Sequence, residues 1–594
     1  MNQRNRKETM KDRVSCKTEI GVESLVWGDI KWKPHMKRVK NLRRRIFRAT
    51  QSGEWRKVRS LMKLMLRSFS NLLVAIRRVT QLNQGKKTAG VDGFVALKPS
   101  QRIEIIQMVR DFKPKDILPT KRVYIPKASG KLRPLGIPSI VDRVKQAIIL
   151  NAWEPYFETF FEEHSYGFRP GRSTHDAIEQ VFNRVATGNG TWILDADIRG
   201  AFDNISHDFI TERVKMLPGN EYAQGWLKAG YVEQEITKVT DKGTPQGGII
   251  SPLLANIALD GIGVYLKNLT IRKKYRNGYN RSGTPSYRYD AISPFGFIRY
   301  ADDFLITAPS FEMIEAVLPH IELLLQIRGL ELNPDKTKLV HIDAGFNYLG
   351  FNVRHYNGTT IIKPEKEKVL TKIREIKKWL RKNQNASPEA VINYLNPIIR
   401  GFANYYRTVC SKEALYYFDS ELWRALYKWG KRRHPNKGKK WIAKKYFNVQ
   451  GKNAQANKWD FISTIKNRKG KSEIITLVKA GSTPIIRHIK VAGTNSPDDP
   501  NLRKYWTDRA KKMGKTRFAK GSLYHLVAEK QKHTCPECGE SIHNGEPLHL
   551  HHTIPIRLGG EDKPNNLVWL HSACHRNTHS KKSGKEEPSD HAHN

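Results

Sequence analysis

Acidic side chains are scarce in this chain and cysteines scarcer. There are 57 Asp and Glu against 104 Lys and Arg, and five cysteines among 594 residues. The acid deficit leaves a formal charge of +47 and a pI near 10.0, which excludes an acidic, self-solvating chain and points to a polyanionic partner, nucleic acid foremost. Cys16 and Cys410 are isolated and the other three cysteines cluster near the C-terminus, so a disulfide framework is excluded and a reducing compartment is expected. A long uncharged apolar run is also missing, which excludes a membrane partner, and the polar start "MNQRNRKETMKDR" carries no secretory signal. The composition predicts a soluble, cytoplasmic nucleic-acid-binding protein of several domains in a reducing compartment.

What is present divides the chain. After an N-terminal extension, residues 1–36, apolar residues at helical spacing among many Arg and Lys predict basic amphipathic helices from "KRVKNLRRRIF" to "LLVAIRRVTQ". The Gly-rich break "GKKTAGVDG" opens a mixed α/β stretch to residue 355. Residues 356–450 turn helical and end in "KWGKRRHPNKGKK"; residues 451–530 read as a basic, turn-rich linker region containing "KNRKGK" and "GTNSPDDPN". Ten of the twenty histidines lie at or after residue 533, marking a separate unit over 531–580, and the tail 581–594 reads as disordered. No internal repeat is visible.

Two stretches place aspartates where a divalent cation could be held. "FIRYADDFLIT" places Asp302 and Asp303 between apolar runs that read as a buried β-hairpin. An Asp pair closing a turn needs no function, but a turn held by strands on a core would fix two carboxylates for a divalent cation. In "WILDADIRGAFDNISH" a strand puts Asp195 and Asp197 on one face, with Asp197 where the strand gives way to a helix. Three such carboxylates hold two Mg²⁺ ions for nucleotidyl transfer.

"YADD" resembles the Tyr-x-Asp-Asp signature of reverse transcriptases and "DIRGAF" their first catalytic block. "TAGVDG", "VYIPKASGKLRPLGIPSIVDRVKQ", "EEHSYGFRPGRSTHDAI", "GTPQGGIISPLLANIALD", "LNPDKTKLVHI" and "FNYLGF" complete the set, in the order seen in reverse transcriptases encoded by group II introns. The resemblance covers roughly residues 40–450. It implies a right-hand polymerase, with fingers and palm over 37–355 and an α-helical thumb, or maturase domain X, over 356–450. It implies Asp197, Asp302 and Asp303 as Mg²⁺ ligands, Lys127 and Arg133 on the incoming dNTP, and Phe202 as the ring that excludes a 2′-hydroxyl. Gln246 would support the template–primer, with Gly247 and Gly248 permitting close backbone approach. It also implies a maturase bound to its own intron RNA, for which a basic helical surface bearing Tyr405, Tyr406 and Trp423 is suited; the same rings serve equally as helix core.

Near the C-terminus, Cys535 and Cys538 form a C-x-x-C, and His571 with Cys574 an H-x-x-C, a tetrahedral zinc spacing. Interleaved are His551, His552, Asn566, His575 and His579, the last two four apart on a predicted helix. The pattern resembles HNH, or ββα-metal, nucleases. By position, His551, His575 and His579 would hold one divalent ion, His552 would take the proton from water and Asn566 would orient the site. The zinc set departs from the commoner four-cysteine form at His571. A zinc finger that binds DNA without cutting is the competing reading.

The whole is α+β and multidomain. Its implied activity is RNA-directed DNA polymerase, maturase and HNH endonuclease, nicking target DNA to prime copying of the intron, with residues 451–530 as the DNA-binding region by analogy. A splicing cofactor without polymerase or nuclease activity is the rival, and a domesticated or defence reverse transcriptase a further one. The intact aspartates and HNH residues stand against the first, the nuclease and domain X against the second.

Overall fold

The computed structural model describes residues 25–583, apart from 127–129, 131, 189, 280–283, 454–455, 467–471 and 519–520. Cys16, Lys127, most of the N-terminal extension and residues 584–594 of the tail fall outside the described residues.

Three helices, Trp32–Gln51, Trp55–Arg67 and Phe69–Arg77, open the fold. Their apolar stripe (Val39, Leu42, Ile46, Val58, Leu61, Met62) is buried with Leu150 and Trp153 of the helix Ile140–Phe157, while most of the basic residues take the outer face. The first helix stops at Ser52, followed by Gly53 at φ +68°, a left-handed turn that glycine adopts without strain. A small sheet then pairs Leu132–Ile137, Thr120–Pro126, Tyr231–Glu233 and Ile236–Lys238 in that order.

The central sheet is antiparallel, in the order Lys338–His341, Trp192–Asp197, Asp303–Ala308, Gly296–Tyr300. Leu194, Ala196, Phe304 and Ile306 feed one core, whereas Ile193, Ile298 and Leu305 feed the other. Burial on both faces is why these strands read as unbroken apolar runs ending in aspartates. A three-stranded sheet over Phe346–Pro364 leads to four helices, Lys366–Lys382, Pro388–Tyr406, Lys412–Arg433 and Lys439–Tyr446.

Residues 451–530 depart from the linker reading. The hairpin Ile462–Lys466/Ser472–Thr476 packs on the helix Pro388–Tyr406, and Phe461, Leu477 and Ala480 are buried in the helical bundle's own core. The apolar positions are few and short, so their burial depends on tertiary contact rather than on local pattern. Residues 483–509 then strap back across the part of the fold built from residues 32–185. Asp176 takes His488, Val491 N–H and Arg509, and Trp506 lies against Gly171. Arg43 donates to both oxygens of Asp498, at 2.9 and 2.6 Å, and to Glu154 at 2.7 Å.

The C-terminal unit is a hairpin, Leu548–His552 with Leu567–His571, followed by the helix Ser572–Ser583. That helix runs three residues into the stretch read from sequence as tail. The unit is docked: Cys535, Cys538, Ile542, Leu570 and Cys574 share one buried cluster with Trp27, Trp32, Leu73 and Ile76. Tyr406 is also a core residue, 4% exposed, Tyr405 donates to Leu349 O, and Trp423 stacks on Tyr427. The core alternative holds for Tyr406, while Tyr405 and Trp423 are half-buried with one side packed on the core. Among the described residues no helix is long and apolar enough to cross a membrane.

Candidate polymerase and nuclease sites

The two strands around "YADD" are joined by a turn in which Tyr300 pairs with Asp303. Ala301 sits at φ +59°, a left-handed conformation that strains any residue with a Cβ. The turn is held from three sides. The buried Arg299 donates to Asn256 Oδ1 at 2.9 Å and to Ala301 O at 3.3 Å. Tyr348 donates to Asp303 O at 3.2 Å. Gly167 packs so closely that a Cβ there would lie 2.2 Å from Ala301 N.

Asp197 is the direct cross-strand partner of Asp303, so strand register brings the carboxylate from residue 197 to the turn that carries Asp302. Burial, with the charges of Asp302, Asp197 and Asp195, pushes the Asp303 carboxyl up to about 7. Burial, reinforced by Asp197, likewise raises Asp195 to about 6. Asp197 accepts from Lys336 Nζ at 2.7 Å and from Asn333 Nδ2 at 3.2 Å. Neighbouring acids repel one another unless a cation lies among them, and carboxylates are the hard oxygen donors that Mg²⁺ takes, although Asp197, Asp302 and Asp303 do not have their oxygens gathered within 4.8 Å as the two C-terminal groups have their ligand atoms. Asp195, Asn333 and Lys336 were not singled out from sequence as site residues; the signals available were strand alternation for the first and the "LNPDKTK" motif for the others.

Beside this cluster, the short helix Ala201–Asn204 carries Phe202, 7% exposed, with its ring edge-on to Phe168. Thr244 N–H donates to Phe202 O at 2.6 Å, stitching the "TPQGG" loop to that helix. Gln246 joins the two regions: Arg133 donates to its Oε1 at 2.7 Å, and its Nε2 donates to Asp203 at 3.3 Å. A Cβ on Gly247 would meet Gly136 O at 2.4 Å, so the close approach that requires glycine there is to the small sheet.

At the C-terminus, Cys535, Cys538, His571 and Cys574 are all buried, with ligand atoms within 4.8 Å of one another. His571 Nδ1 lies 3.3 Å from Cys538 Sγ, and its Nε2 is 3.1 Å from Ser541 O. A carbonyl can only accept, so Nε2 carries the proton and Nδ1 is left as the metal-binding nitrogen. The soft S₃N donor set, with its four atoms gathered together, fits zinc. Arg77 reaches in from the N-terminal helices to donate to Cys574 Sγ at 2.8 Å.

His551, His575 and His579 form the second group, with nitrogens also within 4.8 Å. Burial and the charges of His579, His549 and His551 hold His575 down to about 4, keeping it neutral and able to ligate. His552 Nε2 lies 2.6 Å from Asp562 Oδ1. The carboxylate accepts a hydrogen bond from Nε2–H, which leaves Nδ1 as the nitrogen with a free lone pair. Asp562 had no signal in the sequence beyond its loop. Asn566 accepts from Ile554 N–H and donates to Ile554 O and Glu561 O, closing the loop that carries Asp562.

Comparison with known proteins agrees along the chain. Residues 27–109 match the N-terminal domain of reverse transcriptase and 125–353 the reverse transcriptase (RNA-dependent DNA polymerase) family. Residues 369–447 match the group II intron maturase-specific domain and 535–581 the HNH endonuclease family. Protein YkfC of Escherichia coli is 35% identical over 303 residues, 47% of this chain and 79% of that one. The group II intron-encoded protein LtrA of Lactococcus lactis is 30% identical over 342 residues, 49% of this chain and 56% of LtrA. Maturase-like protein 1 of Euglena gracilis is 25% identical over 390 residues, 63% of this chain and 76% of that one. With a reverse transcriptase domain, a maturase domain and an HNH domain on one polypeptide, the chain belongs to the multifunctional group II intron-encoded proteins.

Proposed function

We propose that this protein copies its intron RNA into DNA from a 3′ end that it cuts itself, working as a ribonucleoprotein with that RNA. The observation that carries the reading is the facing of Asp197 and Asp303 across the central sheet, with Asp302 on the adjoining turn. In the right-hand description the central sheet is the palm, the small sheet the fingers and residues 356–450 the thumb and maturase domain. Asp197, Asp302 and Asp303 would hold magnesium, which when bound activates the primer 3′-hydroxyl and neutralises the triphosphate. Lys127 and Arg133 would grip the dNTP phosphates, and Gln246, already tied to Arg133, would set that cation against the template–primer. Phe202 would close the space that a 2′-hydroxyl needs.

In the C-terminal unit, zinc on Cys535, Cys538, His571 and Cys574 would fix the fold, and a divalent ion on His551, His575 and His579 would stabilise charge at the scissile phosphate. His552 Nδ1 would accept the proton from the attacking water, its ring aligned by Asp562. The product is a DNA 3′-hydroxyl, the substrate that the polymerase requires. Basic residues within 451–530 would hold the target DNA.

The test is extension of a DNA primer on an RNA template, run beside cleavage of target DNA, with Asp302→Ala and His552→Ala. Asp302→Ala should abolish extension and keep cleavage, and His552→Ala the reverse. Loss of both activities in either variant refutes the division of labour. Absence of extension by folded, RNA-bound parent would leave the maturase reading alone.

A further inference from the structure

Between the helix Ile262–Asn268 and the palm strand Gly296–Tyr300 the chain puts out a two-stranded ribbon, Ile271–Tyr279 paired with Pro285–Ile292. All nine residues of its first strand are exposed. A ribbon of this kind gains little from burial, so its sequence is free of core constraints and reports on what it meets.

Its two faces differ. Cross-strand partners share a face, which groups Arg272, Lys274 and Arg276 with Ala291, Tyr289 and Tyr287. Lys274 Nζ lies 3.8 Å from the Tyr287 ring centre, Arg272 lies 5.8 Å from that of Tyr289, and Arg276 lies 4.4 Å from that of Tyr279. Tyr287 and Tyr289 are 47% and 54% exposed. The acidic residue Asp290 lies on the opposite face, held by Arg288 at 2.7 Å. One face is therefore a row of cations and aromatic rings without an acid.

We propose that this face binds the intron RNA, through phosphates on Arg272, Lys274 and Arg276 and through unpaired bases stacked on Tyr287 and Tyr289; the identity of the RNA rests on the maturase reading above. Two arguments select RNA. Exposed rings need unstacked bases, which loops and bulges of a folded RNA supply and a DNA duplex does not. The ribbon also leaves the palm at the end of the strand remote from the Asp302 turn, about 17 Å away for a strand of five residues, so it stands clear of the primer end.

The test measures affinity for a transcript of the intron that carries this reading frame, for a DNA duplex bearing its insertion site and for an RNA–DNA primer–template, across a salt series. The triple variant Arg272→Gln/Lys274→Gln/Arg276→Gln should weaken transcript binding and lower the slope of log affinity against log salt by about 2 to 3. Tyr287→Leu/Tyr289→Leu should weaken it about 30-fold or more with the slope unchanged. Both should extend a primer at the parent rate, which shows that they fold. Parent-like transcript binding by both variants overturns the proposal, as does a loss confined to the DNA duplex. Failure of the parent itself to bind the transcript overturns the maturase reading instead, and is seen before any variant is made.

Discussion

Replacing Asp176 by Asn should release the strap that ties the C-terminal third of the chain to the polymerase. The carboxylate is fully buried, and its Oδ1 accepts from His488 Nε2 at 3.0 Å, Val491 N–H at 2.8 Å and Arg509 Nη2 at 3.1 Å. Its Oδ2 accepts from Ser173 N–H and Oγ, capping the helix Thr174–Val185. Burial alone would raise this acid, but the His488 hydrogen bond and charge, the Ser173 hydroxyl and Arg509 outweigh it and hold the carboxyl at about 2, against an ordinary 3.8. That gap of about 1.8 pH units corresponds to about 2.5 kcal/mol. The folded value is the lower, so this stability is present above pH 3.8 and is lost as pH falls through about 2. The amide can still accept from Ser173 N–H, yet it removes the charge facing two basic groups. Opening of the strap should rise about 60-fold. Hydrogen exchange at the Val491 amide reads this directly, with primer extension as a control that the polymerase is intact. Exchange within threefold of the parent would refute the clamp.

Arg77→Met should speed loss of zinc from the loaded protein to a chromogenic chelator by about 10- to 100-fold, because the N–H···S bond to Cys574 is the sort of support that fixes a ligand from outside the site; an unchanged rate would remove Arg77 from the zinc site's support. Phe202→Val should lower discrimination between dNTPs and NTPs about tenfold or more, and unchanged discrimination would leave that ring a packing role only. Lys40 Nζ and Glu540 Oε2 are 3.3 Å apart across the docked nuclease, so a carbodiimide should join them, with the same yield when target DNA is bound. A tenfold fall on DNA binding would mean that the nuclease swings.

The placement of the carboxylates was legible because strand alternation and the order of motifs are local properties: Asp197 ends one strand, and Asp302 and Asp303 lie where two others join. The HNH residues were legible for the same reason, since i, i+4 spacing put His575 and His579 on one helix face. Their second partners were not. Lys336 comes to Asp197, and Arg77 to Cys574, by tertiary packing across 139 and 497 residues. Tyr406 was decidable in principle, since Ile399, Ala403 and Tyr406 follow one buried stripe, but a basic surround suggests RNA as readily as core. "GTNSPDDPN" was read as linker because Pro, Asn and Asp are turn formers. Nothing local shows that Asp498 is buried against Arg43.

Docking bears on how a cut end reaches the polymerase. The Cys535–Cys574 knuckle and the N-terminal helices share one apolar cluster that includes Trp27, Trp32, Leu570 and Ile542, so swinging the nuclease away would open that cluster, at about 1.5–3 kcal/mol for each large side chain fully exposed. It would also strip Arg77 of its buried sulfur partner and break the Lys40–Glu540 pair. The strap adds anchors at Asp176 and Asp498. Costs of this size make an undocked nuclease rare, so the nicked DNA must travel to the palm carboxylates over a fixed protein surface. A fixed surface favours holding DNA by many phosphate contacts that can be exchanged in turn, which is what an excess of 104 basic over 57 acidic residues supplies.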